Sequence, residues 1–202
     1  MIHVAPQPEP AEFDGRVRQR GRAWLQGRGW LRPQPLPAGK SRELPTYWRE
    51  CLTDLHECYG GICAYLCVHI ERVTGGATVD HFVAKSPRPD LAYEWDNYRL
   101  ACSVMNSRKG EVNKVLDPFQ VEDGWFRLEL VSGDIYPSPE LEGAPRQRVD
   151  ETIAQLKLDD PGNCEMRARH FQGFVEGDYT AEFLRKRSPF VYQEAMLQGL
   201  LT

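Results

Sequence analysis

The sequence predicts an α+β fold: a short strand, loop, strand, helix core with a helix ahead of it, an extra β-hairpin behind it and a helical C-terminal third. Three observations predict it. Two short β-prone runs, Ala77 to Val83 and Tyr98 to Ala101, are separated by a loop and lead into a helix-like segment from Cys102 to Lys109. Trp125 to Val131 and Ile135-Tyr136 flank Ser132-Gly133-Asp134, a hairpin pattern. From Val149 onward, apolar residues recur at helical spacing.

Taken in order, residues 1–45 are rich in Pro, Gly and Arg, with Arg-Pro-Gln-Pro-Leu-Pro at 32 to 37, so any helix around Arg16 to Gln26 is short and the segment reads as an arm. Pro45-Thr46 opens a helical pattern that puts Trp48, Cys51, Leu52, Leu55 and Tyr59 on one face, closed by Gly60-Gly61. The apolar run Ile62 to Ile70, a Thr74-Gly75-Gly76 turn and Ala77 to Val83 read together as a β-hairpin. Ser86-Pro87-Arg88-Pro89-Asp90 is a loop by composition, and Asp117-Pro118-Phe119 a turn. Val149, Ile153, Leu156 and Leu158 fit one helix and Cys164 to Val175 another. Thr180 to Arg187 and Phe190 to Leu201 form a pair divided at Pro189. The expected organisation is a basic arm over 1–45, a core with flanking helix and hairpin over 46–140, and a helical extension over 141–202.

With 41% hydrophobic and 27% charged residues in 202, the chain has the composition of an ordinary globular protein. It contains no run of eighteen apolar residues and no basic-then-apolar leader, so a cytoplasmic protein with no membrane partner is expected. Its six cysteines are expected to be reduced. The net charge of −4 hides an asymmetry. Between Gly15 and Arg49 nine basic residues stand against Glu43 alone, whereas from Glu50 onward 16 basic residues face 25 acidic ones. A cationic arm of this kind suits phosphate contacts, and it equally suits a solvated segment.

The chemistry-bearing residues crowd into one stretch: Asp80, His81, Asn97, Asn106 and Lys109. Cleaving a phosphodiester requires a base for water, a divalent cation to stabilise charge, and a fixed geometry between them. His81 has an ordinary pKa suited to general-base work near neutrality. Asp80 and the Asn106 oxygen are hard ligands that suit Mg²⁺ or another divalent cation. Lys109, three residues beyond Asn106, shares its helix face and offers a point charge for phosphate. Arg99 and Arg108, close by, are candidate DNA phosphate contacts. His56 and His69, on apolar elements, read as structural, Asp117 as a backbone cap, and Tyr93, Trp95 and Tyr98 as core.

The combination of Asp80-His81, Asn97 after a loop, and Asn106 followed by Lys109 resembles the HNH nuclease family, whose fold is the ββα-metal unit. The resemblance implies that His81 is the general base, that Asp80 and Asn106 hold the metal, that Asn97 braces the loop and orients His81, and that Lys109 is an electrostatic helper. Within the family, Cys63-Ala64-Tyr65, Val79-Asp80-His81-Phe82, Tyr93-Glu94-Trp95-Asp96-Asn97 and Asn106-Ser107-Arg108-Lys109-Gly110 look most like bacterial HNH proteins similar to the nuclease subunit of Septu-type anti-phage systems. That similarity implies an ATPase partner and a role in defence against invading DNA.

One departure from the family bears on metal content. Many HNH proteins bracket the motif with two Cys-x-x-Cys pairs around a structural zinc. Here the first is stretched to Cys63-x-x-x-Cys67 and the second reads Cys102-x-x-Met105. Thioether is a poor zinc ligand, so no structural zinc is expected. Two functions follow from the sequence: a Mg²⁺-dependent DNA endonuclease, or a catalytically weak nucleic-acid or protein-binding subunit that works only within an ATPase-containing assembly.

Overall fold

The computed structural model describes residues 1–74, 76–111 and 114–201. The chain is α+β, with seven α-helices and two small antiparallel two-stranded sheets among the described residues. It divides into two compact units, neither of them a contiguous stretch of chain. One comprises Pro6–Gly61 and Glu71–Asn113; the other comprises Met1–Ala5, Ile62–Ile70 and Lys114–Thr202. No helix among the described residues is long and apolar enough to cross a membrane.

In the first of these units, Asp14–Arg18 forms a turn of π-helix that runs into α1, Gln19–Gly27. Phe13, Val17, Gly21 and Leu25 recur every fourth residue and are all buried, so a single stripe faces inward along this helix. Gly21 is required there, since a Cβ at this position would overlap the ring carbons of Tyr93. From Pro6 onward, the segment read as an arm therefore packs into this unit. Its charges are satisfied locally as well: Arg16 pairs with Asp54, Arg18 with Glu9, Asp14 and Glu94, Arg20 with Glu50, Arg22 with Glu94, and Arg28 and Lys40 with Glu43. An excess of arginine along the chain becomes a network in space because acids distant in sequence fold against it.

The predicted helix before the core is present as a 3₁₀ turn, Tyr47–Cys51, continuing into α2, Leu52–Cys58. It ends as the glycines require. Gly60 and Gly61 both have positive φ, and the Gly61 amide returns to the His56 carbonyl at 2.7 Å. Next come β1, Ala77–His81, and β2, Tyr98–Cys102, paired antiparallel from Ala77 opposite Cys102 to His81 opposite Tyr98. α3, Ser103–Lys109, follows β2 directly and packs on both strands, as does α2. The strand, loop, strand, helix order is thus present.

The hairpin expected between Ile62 to Ile70 and Ala77 to Val83 is not formed. β1 takes β2 as its partner. The 62–70 run folds back on itself with a single bridge between Ile62 and His69, and Cys67 in left-handed conformation (φ 56°) turns the chain. An apolar run this short carries no periodicity that separates a strand from a buried loop. Of the turn assigned to Thr74-Gly75-Gly76, Gly75 lies outside the described residues.

The other unit carries the predicted second hairpin, β3, Phe126–Leu128, against β4, Ile135–Pro137. Four helices follow: α4 (Gly143–Leu156), α5 (Pro161–Val175), α6 (Ala181–Arg187) and α7 (Pro189–Leu197). Asp160 and Thr180 cap α5 and α6 through their side chains, and Pro161 and Pro189 stand at the first turns of α5 and α7, where no amide donor is missed. Val149, Leu156, Leu158, Leu184, Val191 and Ala195 are fully buried in this unit.

Candidate functional site

A cleft of about 610 Å³ opens in the unit that holds β1 and β2, lined by Trp48, Arg49, Thr78, Asp80, His81, Lys85, Asn106 and Glu111 among others. Three of the five residues singled out from the sequence, Asp80, His81 and Asn106, converge on it.

His81 ends β1 and is only 6% exposed. Its Nε2 lies 2.9 Å from the Ala92 carbonyl, and Trp48 and Tyr98 stand edge-on to the ring at 4.8 and 5.1 Å. A carbonyl only accepts hydrogen bonds, so Nε2 is the protonated nitrogen and the lone pair of the neutral ring belongs to Nδ1. Ala92 is fixed in turn, accepting also from the Tyr98 hydroxyl at 2.9 Å. Burial, reinforced by the nearby Lys85 cation, pushes His81 well below the usual histidine range. The ring is therefore neutral, with its lone pair available, throughout the neutral pH range.

Asn106 sits half-buried on α3. Its Nδ2 donates to Thr78 Oγ1 at 3.0 Å and approaches the Val79 carbonyl at 3.4 Å. Thr78 gives its own proton to the Ala101 carbonyl at 2.8 Å, so its oxygen accepts from Asn106 and the amide orientation is chemically fixed. Oδ1 is the end of the amide left to act as a ligand.

Asp80 and Lys109 form a buried pair. Lys109 is 1% exposed and donates to Asp80 Oδ1 at 3.2 Å and to the His81 carbonyl at 2.9 Å. The point charge expected to help at phosphate is thus inside the protein, tying α3 to the end of β1. Arg99, opposite Asp80 in the sheet, is 3% exposed and donates to the Asp96 and Tyr98 carbonyls at 2.8 and 2.9 Å. It braces the β2 entrance and is not a surface phosphate contact. Both buried cations lie by the Phe82 ring, Arg99 at 5.2 Å and Lys109 at 5.6 Å from its centre. Arg108 is half-buried on α3 and does not line the cleft.

Asn97 holds the loop between the strands. Its Oδ1 accepts from the Val83 amide at 2.8 Å and its Nδ2 donates to the Val83 and Leu91 carbonyls at 3.0 Å. It acts on His81 at one remove, because Leu91 adjoins Ala92, the histidine's acceptor.

Sequence reasoning missed Trp48, Arg49, Lys85 and the Ala92 carbonyl. Lys85 crosses the Trp48 ring at 5.0 Å, and burial lowers its pKa against the opposing pull of Asp80 and Glu111. It stands five residues after Asp80 in the stretch already singled out, and that proximity was the signal. His69 is held by Arg187, and Asp117 accepts from the Phe119 amide at 3.0 Å, while Tyr93, Trp95 and Tyr98 are buried.

Neither a protein-family model nor a curated protein matches the chain.

A divalent cation needs hard oxygen donors, and the cleft offers the Asp80 carboxylate, the oriented Asn106 amide oxygen and, at its rim, Glu111. This donor set fits Mg²⁺ or a similar ion, with Asp80 Oδ1 already engaged by Lys109. Among the described residues no group of three or more His, Cys, Asp or Glu side chains converges as a metal cluster. Cys63 and Cys67 fall in one unit and Cys102 and Met105 in the other.

Proposed function

We propose that the protein is a metal-dependent endonuclease of the HNH, ββα-metal type, hydrolysing phosphodiester bonds in DNA. The observation that carries this reading is the orientation of His81. Its Nε2 is bonded to the Ala92 carbonyl, which leaves Nδ1 as a base beside Asp80 and Asn106 in one cleft. In this reading His81 takes a proton from water, the water oxygen bonds to phosphorus, and the bond from phosphorus to the leaving oxygen breaks. Asp80 and Asn106 would hold the cation, which supplies stabilisation for the charge that builds on the phosphate and the leaving oxygen. Burial of the ring holds it neutral and lowers its basicity, so orientation and the held cation carry more of the rate than proton affinity does.

The test is cleavage of supercoiled plasmid with Mg²⁺ and with chelator. His81→Ala is expected to abolish the Mg²⁺-dependent cleavage while the fold, followed by circular dichroism, persists. Full activity in that variant refutes the mechanism. The Asp80 to Lys109 pairing favours a second reading, in which the fold is kept and the chain serves as a DNA- or protein-binding subunit beside an ATPase. Under that reading the isolated chain cuts nothing at any metal concentration. A role in anti-phage defence belongs to both readings and is tested by phage plating with and without the chain; protection lost in His81→Ala assigns that role to the nuclease reading, and protection retained assigns it to the binding-subunit reading.

A further inference from the structure

Two cations on the wall of the cleft are left over once the charges around it are accounted for. The six basic residues paired along Arg16 to Lys40 are neutralised by carboxylates of their own unit. Lys109 and Arg99 are buried. Arg49 differs from all of these. It is exposed, lines the cleft, and has no carboxylate within ion-pair distance among the described residues. The same 3₁₀ turn that places Arg49 places Trp48, whose face holds the Lys85 ammonium at 5.0 Å. Lys85 likewise makes no ion pair among the described residues, its nearest opposing charges being Asp80 and Glu111. One turn of helix and the loop after β1 therefore bring a planar, forked guanidinium and a compact ammonium to the cleft that holds His81.

We propose that Arg49 and Lys85 form the phosphate-binding pair of this cleft, gripping the DNA backbone beside the bond that is cut. The pair takes over the work that the sequence pattern assigned to Lys109, Arg99 and Arg108. Arg49 suits two oxygens of one phosphate and Lys85 a single point contact. The inference rests on the nuclease reading, because it assigns the anion as a nucleic-acid phosphate.

The test uses full-length His81→Ala protein, so that binding is read without turnover, and a fluorescein-labelled DNA duplex titrated by anisotropy over a range of salt. A protein that neutralises phosphates releases counterions, and log K falls with log salt by about 0.9 per phosphate contact on duplex DNA. Arg49→Gln and Lys85→Met are each expected to make that slope shallower by about 0.9, to the same extent on unrelated DNA sequences. Lys85→Met keeps an apolar stem on Trp48, and Arg49 is exposed, so neither change disturbs packing. Slopes unchanged in both variants, with the parent binding DNA and the wild-type chain cutting it, overturn the phosphate pair alone. No binding by the parent and no cleavage by the wild type overturn the nuclease reading and the pair with it.

Discussion

Lys109→Met separates two views of this residue. If the ammonium were an electrostatic helper at phosphate, its loss would slow cleavage and leave the fold untouched. The structure makes the opposite prediction. The Lys109 and Asp80 side chains are 1% and 3% exposed and meet at 3.2 Å, and the same ammonium also binds the His81 carbonyl. Removing the cation leaves a buried carboxylate without its counter-charge, an operation that typically costs about 3–5 kcal/mol. In a protein of this size that lowers the melting temperature by roughly 6–20 °C. Four of the five tryptophans, Trp24, Trp30, Trp48 and Trp95, belong to the unit that holds the pair, so intrinsic fluorescence follows its unfolding. The double change Asp80→Asn with Lys109→Met removes both charges and is expected to recover a large part of the loss, since replacing a whole buried pair is often near neutral. A Lys109→Met protein that melts within about 2 °C of the parent refutes the burial argument and returns the lysine to the surface.

Asn97→Ala removes three hydrogen bonds from the loop and is expected to cost about 3 kcal/mol, read by urea unfolding; a loss under about 0.5 kcal/mol contradicts its bracing role. Gly21→Ala forces a methyl into the Tyr93 ring and should destabilise by about 1–3 kcal/mol; an unchanged melting temperature would mean that the N-terminal segment is not packed as described. Because folding holds His81 below its unfolded value, the unfolded chain binds the extra proton. The resulting stability is present above about pH 6.5 and is lost as pH falls below it. The pH dependence of unfolding should accordingly be steeper below 6.5 in the parent than in His81→Gln, and superimposable curves would contradict it. On the nuclease reading, the acid limb of the rate profile also lies below pH 6.5, whereas a limb at or above 7 contradicts the burial of the ring.

Local pattern made much of this chain legible. The strand, loop, strand, helix order around His81 follows from β-prone runs broken by prolines and a polar loop, and the Gly60-Gly61 stop from the backbone freedom of glycine. The four C-terminal helices follow from apolar residues at helical spacing and prolines at first turns. These are properties of neighbouring residues, and a sequence carries them directly. It also singled out Asp80, His81, Asn97, Asn106 and Lys109 as the polar residues of one stretch.

Other features depend on which distant residues meet. The Phe13, Val17, Gly21, Leu25 stripe lay unread within an arginine-rich segment, because charge count dominated the reading and the acids that neutralise it stand up to 76 residues away, as Glu94 does from Arg18. The partner of β1 had two candidates of similar composition, and backbone pairing energy does not choose between them. In the folded chain β1 pairs with β2, on which α3 also packs, while the 62–70 run turns back on itself at Cys67. Whether a lysine or arginine near a site is a surface cation or a buried brace depends on what packs around it, and the burial of Lys109 and Arg99 beside Phe82 leaves no trace in residue spacing. The sequence by itself determined the elements and the chemistry available to them. Tertiary structure decided which charges are buried, which nitrogen of His81 keeps its lone pair, and which cations still face the cleft, because burial and hydrogen-bond partners arise only when distant segments pack.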